Sequence, residues 1–157
     1  MRKRIITQGS HDIPPADQQW LDLKHLAQVE ITSEDPAYPI ESALTFGDSP
    51  GWKASQPGKQ TIRILFDEPQ NIRRIRLQFD EETQKRMHEF VLRCSANEGK
   101  SYQEILRQQY TFNPPETLRE IEDYAVNLHG MNMLELEIVP DIDKGNVLAS
   151  LTKLQVA

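Results

Sequence analysis

Two acidic runs, Asp80-Glu81-Glu82 and Glu120-Ile121-Glu122-Asp123, set carboxylates close enough together to be weighed as an acid–base pair. Cleaving a glycosidic bond takes two carboxyls roughly 5–10 Å apart on either side of a cleft. On an extended chain Glu120 and Glu122 point to the same side. Nothing around them in the sequence supplies an apolar pocket that would raise one pKa. The expectation is therefore a solvated acidic face, and no enzyme.

The remaining reactive types are dispersed. His11, His25, His88 and His129 form neither a His-x-His nor a His-Glu-x-x-His spacing, whereas a zinc site needs three or four converging ligands. No metal and no cofactor are expected. Cys94 falls on the same alternate face as Phe90 and Leu92 and reads as a small buried hydrophobe. A single cysteine closes no internal disulfide. Phosphate-binding loops, nucleophile elbows and dinucleotide fingerprints are absent from the sequence. Arg63, Arg73, Arg74, Arg76 and Arg93 can line up as a basic stripe, or can pair across strands with acids such as Glu135 and Glu137. A net charge of -6 repels phosphate backbones, so nucleic acid is not an expected partner.

These side chains need a scaffold, and the scaffold is legible as strands. Ile62, Ile64 and Phe66 alternate with polar or half-exposed neighbours. So do Ile75, Leu77 and Phe79; Phe90, Leu92 and Cys94; and Leu134, Leu136 and Ile138. Residues 67–71 and 97–100 read as hairpin turns, and His129-Gly130 closes a later strand. Such short alternating runs, with no room for crossover helices, predict an all-β antiparallel sandwich or jelly roll. Residues 1–26 read as an N-terminal arm whose 20–26 stretch docks on the domain or on a partner, and residues 27–157 form the domain. Only two apolar residues follow Met1-Arg2-Lys3-Arg4, too few for a secretory core. No apolar run is long enough to span a membrane. A cytoplasmic protein is the expectation.

The order of the elements carries more than any one motif. Val29-Glu30-Ile31-Thr32-Ser33 is followed by the 43–52 loop with Gly51-Trp52, then Gln60–Phe66 and Ile72–Leu77. Phe90-Val91-Leu92-Arg93-Cys94-Ser95 then leads through Asn97-Glu98-Gly99-Lys100 to Tyr102, and residues 149–156 close the chain. Over residues 27–157 this series resembles the discoidin-like, galactose-binding-domain-like β-sandwiches, a family that includes carbohydrate-binding modules. The resemblance implies a jelly roll with a ligand site on the loops at one end, and a non-catalytic role. Carbohydrate-binding members often hold a structural calcium with an Asp-bearing loop and an acid in the last strand. Asp48 matches that loop, but Lys153 and Gln155 stand where carboxylates are expected, and Lys153 would repel the ion.

If successive strands alternate in direction, the loops 34–40, 47–59, 80–87, 113–117 and 141–147 share one end. Long loops on a rigid scaffold are where binding sits. That end carries Tyr38, Trp52, Lys53, Arg86 and Asn113, an aromatic surface beside cationic and amide donors, which suits a sugar. Trp52 is either the stacking platform or a plug packed beneath its own loop. The expected partner is a glycan or other small polar ligand, with self-association adding strength. The alternative is an intracellular protein-interaction scaffold on the same fold.

Overall fold

In the computed structural model, which describes residues 19–157, the alternation read from the sequence is built into two very long strands. β3 (Gln60–Asp80) and β6 (Arg119–Val139) pair antiparallel from Gln60↔Ile138 to Asp80↔Arg119. A straight strand of that length would reach about 65–70 Å. Instead both ends of β3 serve one core. Phe79 stacks 5.1 Å from Phe90 on β4 (Arg86–Ser95), and Phe90 pairs with Ile138, the partner of Gln60. The β3–β6 ribbon therefore folds over on itself and contributes to both layers of a sandwich.

The fold-over falls where hairpin turns were expected. Residues 67–71 and 127–131 do not connect hairpins: they face one another, Gln70 opposite Met131 and Ile72 opposite Leu128, with register slips between Leu65 and Arg74. These irregularities add twist and bend to a ladder that is otherwise continuous. They also change the phase of burial, which runs through Ile62, Ile64 and Phe66, and then through Ile75, Leu77 and Phe79.

The remaining strands complete the layers. β1 (Ala27–Ile31) pairs with the first half of β3, and β8 (Lys153–Val156) with its second half. β4 lies beside β6 and carries β5 (Gln103–Phe112) on its other edge; the 97–100 stretch is the turn between them. β2 (Trp52–Pro57) and β7 (Leu148–Leu151) form a separate two-stranded sheet. Of two single-turn helices, α1 (Leu23–Leu26) precedes β1 and α2 (Glu41–Leu44) lies between β1 and β2.

The 20–26 stretch docks on its own domain. The Leu21 amide donates to the Val156 carbonyl, Leu23 is buried, and the Arg74 guanidinium lies 4.5 Å above the Trp20 ring. Residues 1–18, the rest of the expected arm, lie outside the described residues. No described helix is long and apolar enough to cross a membrane.

Candidate functional site

Backbone hydrogen bonds tie the long loops together at one end. Asp35 donates to the Lys53 carbonyl and Lys53 to that of Tyr38; Glu81 donates to Leu118, Ile142 to Met87, and Gly58 to Val147. Between these loops lies a cleft of about 480 Å³. Tyr38 and Lys53 form one wall, loop residues 80–83 the other, and strand β7 with Thr152 the floor. A second hollow of about 310 Å³ continues it past Pro50, Asp80, Glu82 and Thr152 toward Asp48, Arg119 and Lys153. The two form a single groove.

Its charges are held in place. Partial burial pushes the Asp80 carboxyl up, but hydrogen bonds from Thr152, Arg119 and Gln78 outweigh that and hold it below its ordinary range. Thr152 donates at 2.7 Å and Arg119 Nε at 2.6 Å. Glu81 behaves likewise: burial raises it, and Arg86 with the Thr83 amide brings it below normal. The exposed Lys53 ammonium lies 4.2 Å from the centre of the half-buried Tyr38 ring. Leu148 leaves half of its surface in solvent at the same cleft.

Of the residues expected at the site, Tyr38, Trp52 and Lys53 border the cleft. Trp52 does not offer its ring: the side chain is wholly buried and its Nε1 donates to the Ser33 carbonyl at 3.1 Å. The stacking-platform expectation is corrected to the plug. Arg86 is also buried, donating from Nε to Glu81 at 2.7 Å and from Nη1 to the Pro140 carbonyl at 2.8 Å, with Phe112 beneath it. It braces the loop end and is not free for a ligand. Asn113 is exposed, but its amide donates to Glu116 and it closes the 113–117 turn outside the cleft.

The expectation of a solvated acidic face at residues 120–123 holds for Asp123 and in part for Glu122, but fails at Glu120. Glu120 is buried against His88, Oε1 to Nε2 at 2.7 Å, and the His88 ring is packed among Phe79, Phe112 and Phe90. Burial, reinforced by Arg86, pushes His88 down to about 3. Burial and the adjoining Glu120 carboxyl push Glu122 up to about 7. Glu122 accepts from the Tyr124 hydroxyl, which in turn accepts from Gln108. None of these groups lines the groove. The signal for them was cross-strand register: Glu120 stands opposite Phe79 and shares its inward face.

All of the basic stripe except the exposed Arg73 is paired with acids. Arg74 makes a two-point contact with Asp123 at 2.8 and 2.7 Å, Arg93 meets Glu137 at 3.4 Å, and Arg63 lies between Glu30 and Glu135.

The calcium implied by the family does not fit this loop. The Thr45 and Gly47 carbonyls and the Ser49 hydroxyl all face the Lys153 ammonium, which would stand against any metal ion there. Among the described residues no cluster of three His, Cys, Asp or Glu side chains is placed to hold a metal.

No protein-family model and no curated protein matches this sequence. Solved structures do resemble the fold. A family 32 carbohydrate-binding module from a family 31 glycoside hydrolase of Clostridium perfringens is 18% identical, with a TM-score of 0.59 over 87% of this chain and 93% of that one. The family 32 module of C. perfringens NanJ, solved with galactose, is 14% identical with a TM-score of 0.59 over 87% and 96%. The family 32 module of AlyQ, solved with 4,5-unsaturated mannuronic acid, is 13% identical with a TM-score of 0.61 over 89% and 98%. At these identities the likeness establishes the fold, a galactose-binding-like β-sandwich.

Proposed function

We propose that this chain is a non-catalytic glycan-recognition module whose ligand seats in the cleft between Tyr38, Lys53 and the 80–83 loop. One observation carries the reading: the long-loop end holds a groove in which ring and aliphatic surface stand beside fixed charges. A sugar presents an apolar C–H face and a rim of hydroxyls. Tyr38 and Leu148 match the first; Lys53, Glu82 and Ser150 match the second. The carbohydrate-binding modules that share the fold, two of them solved with sugars, support the same ligand class. Of the two acidic runs, Glu120 is buried against His88 and its run lies away from the groove. Asp80 and Glu81 line the groove, with their carboxyls held below the ordinary range by Thr152, Arg119 and Arg86.

Affinity at a single such site is expected to be modest, because a few contacts must first offset association costs of several kcal/mol. The test is a glycan array, followed by titration of the best ligand against Tyr38→Ala and Lys53→Ala. Each is expected to weaken binding by about tenfold, about 1.4 kcal/mol, without lowering Tm. Binding to no glycan, or full affinity in both variants, would overturn the proposal.

A further inference from the structure

Lys153 opens β8 opposite Gln78, and its neighbours Leu154 and Val156 are buried in the core. Its ammonium extends across to the loop that follows α2. There it donates to the Thr45 carbonyl at 2.9 Å, to the Gly47 carbonyl, and to the Ser49 hydroxyl at 3.4 Å. An ammonium has three donors, and here three oxygens from five consecutive loop residues meet them. Apart from the ammonium, the loop is held only near its ends, where the Thr45 amide donates to the Glu41 carbonyl at 3.1 Å and the Thr45 hydroxyl to that of Ser42 at 3.4 Å. Gly47 sits at φ +84, Phe46 is 54% exposed, and the flanking anchors are Ser49 to the Ser42 carbonyl and Gly51 to the Ser42 hydroxyl. Remove the ammonium, and two carbonyls and a hydroxyl converge with no positive charge between them.

The ammonium gives up water to be there. Burial holds Lys153 below its ordinary pKa, with Asp48 opposing that fall. An ammonium so placed is compensated only if the oxygens it gathers replace its hydration. Gly47, Asp48 and Ser49 are also one wall of the second hollow of the groove.

We propose that Lys153 is a tethered cation that assembles the 45–49 loop, standing in for the metal ion that the fold family implies and this loop does not fit. Loop order, and through it the groove wall, is then independent of divalent metal. Lys153 acts as a positioning residue and need not touch a ligand. The link to the groove rests on the glycan reading; the organisation of the loop does not, so the test is made on the free protein.

Amide hydrogen exchange across residues 45–51 is the direct measurement, with Tm taken in calcium and in chelator. For the unsubstituted protein, neither Tm nor loop protection is expected to respond to calcium. Lys153→Met, which keeps the apolar stem, is expected to lose about tenfold or more of the loop's protection while the β3–β6 ladder keeps its own. Lys153→Glu returns a carboxylate to the same oxygens. Its loop protection is expected to recover in millimolar calcium, and that of Lys153→Met is not. Should Lys153→Met fail to fold, the Lys153 ammonium protons of the unsubstituted protein decide the matter, since hydrogen-bonded protons exchange slowly enough to appear in a nitrogen-15 spectrum at neutral pH. Stabilisation of the unsubstituted protein by calcium, unchanged protection in Lys153→Met, no calcium response in Lys153→Glu, or fast-exchanging ammonium protons would each overturn the proposal. Glycan titration in chelator then reads the groove separately.

Discussion

Replacing Glu122 with Gln isolates the energetics of the interior acid cluster. Glu122 stands beside Glu120 and accepts from Tyr124, and burial together with Glu120 raises its carboxyl from 4.5 to about 7. In the unfolded chain this group has lost its proton by pH 5 or so; in the folded chain it keeps the proton until near 7. The folded state therefore binds more protons between 4.5 and 7. Its contribution to stability is whole below 4.5 and is lost as pH rises through 7. Undiluted, that difference amounts to about 3 kcal/mol. Glu122 keeps some contact with water, so screening brings it to about 1–2 kcal/mol. His88 has the opposite slope. Its pKa lies near 3, against an ordinary 6.5, so it costs stability as pH falls from 6.5 toward 3. Between pH 5 and pH 8 the folded His88 is uncharged with or without Glu122, so over that window its slope is common to both proteins. Gln cannot ionise, and its altered bond to Tyr124 is the same at every pH. Urea denaturation at pH 5 and pH 8 should show Glu122→Gln gaining about 1–2 kcal/mol on the unsubstituted protein between the two. A difference that does not move with pH, or moves the other way, would refute a desolvated carboxyl at this position.

Four further outcomes follow from buried geometry. Trp52→Ala should cost about 3–5 kcal/mol in chemical denaturation. Trp52→Phe should cost about 1–3 kcal/mol by leaving the Ser33 carbonyl unpaired, with glycan affinity of the folded protein intact; a lost affinity would restore Trp52 to the binding surface. Arg86→Met should lower stability by about 3–5 kcal/mol, because Glu81 and the Pro140 carbonyl lose their donor; an unchanged Tm would mean the pair is not buried. Gly51→Ala should cost about 2 kcal/mol or more, read by Tm, since Gly51 sits at φ +82 and a Cβ would stand 2.5 Å from the Leu151 carbonyl oxygen.

The strands that made the fold legible are those with three or more inward residues in a row. Ile62, Ile64 and Phe66, or Leu134, Leu136 and Ile138, alternate because one side meets the core and the other does not, and all six are buried. β2 was missed because only Trp52 and Ala54 face inward along it, too few to establish a period, and its neighbours are Lys, Ser, Gln and Pro. The fold-over at 67–71 was misread for a different reason. Asp, Glu, Pro and Asn signal a break in regular pairing, but they do not distinguish a hairpin from a bend in a ribbon that stays paired. Only the partner's position does, and sequence-local chemistry carries no information about the partner.

The site was legible in part for a related reason. Of the loops expected to share one end, 34–40 and 80–87 do border the cleft, with Tyr38 on the first and Lys53 at the start of β2, while the 113–117 turn lies outside it. Residue type then misled, since an arginine or a tryptophan at a loop end suggests a ligand contact. Parity argued the other way and was available. Phe90, Leu92 and Cys94 face inward along β4, and stepping back by twos puts His88 and Arg86 on that same face, where both are found. A buried cation or imidazole must meet a partner. Arg86 meets Glu81 and His88 meets Glu120, whose own inward face follows from its place opposite Phe79. The polar residues nearest the loop end of the sandwich thus serve to close its interior. The side chains beyond them, Tyr38, Lys53 and Glu82, are the ones that the groove leaves open to a ligand in the proposed reading.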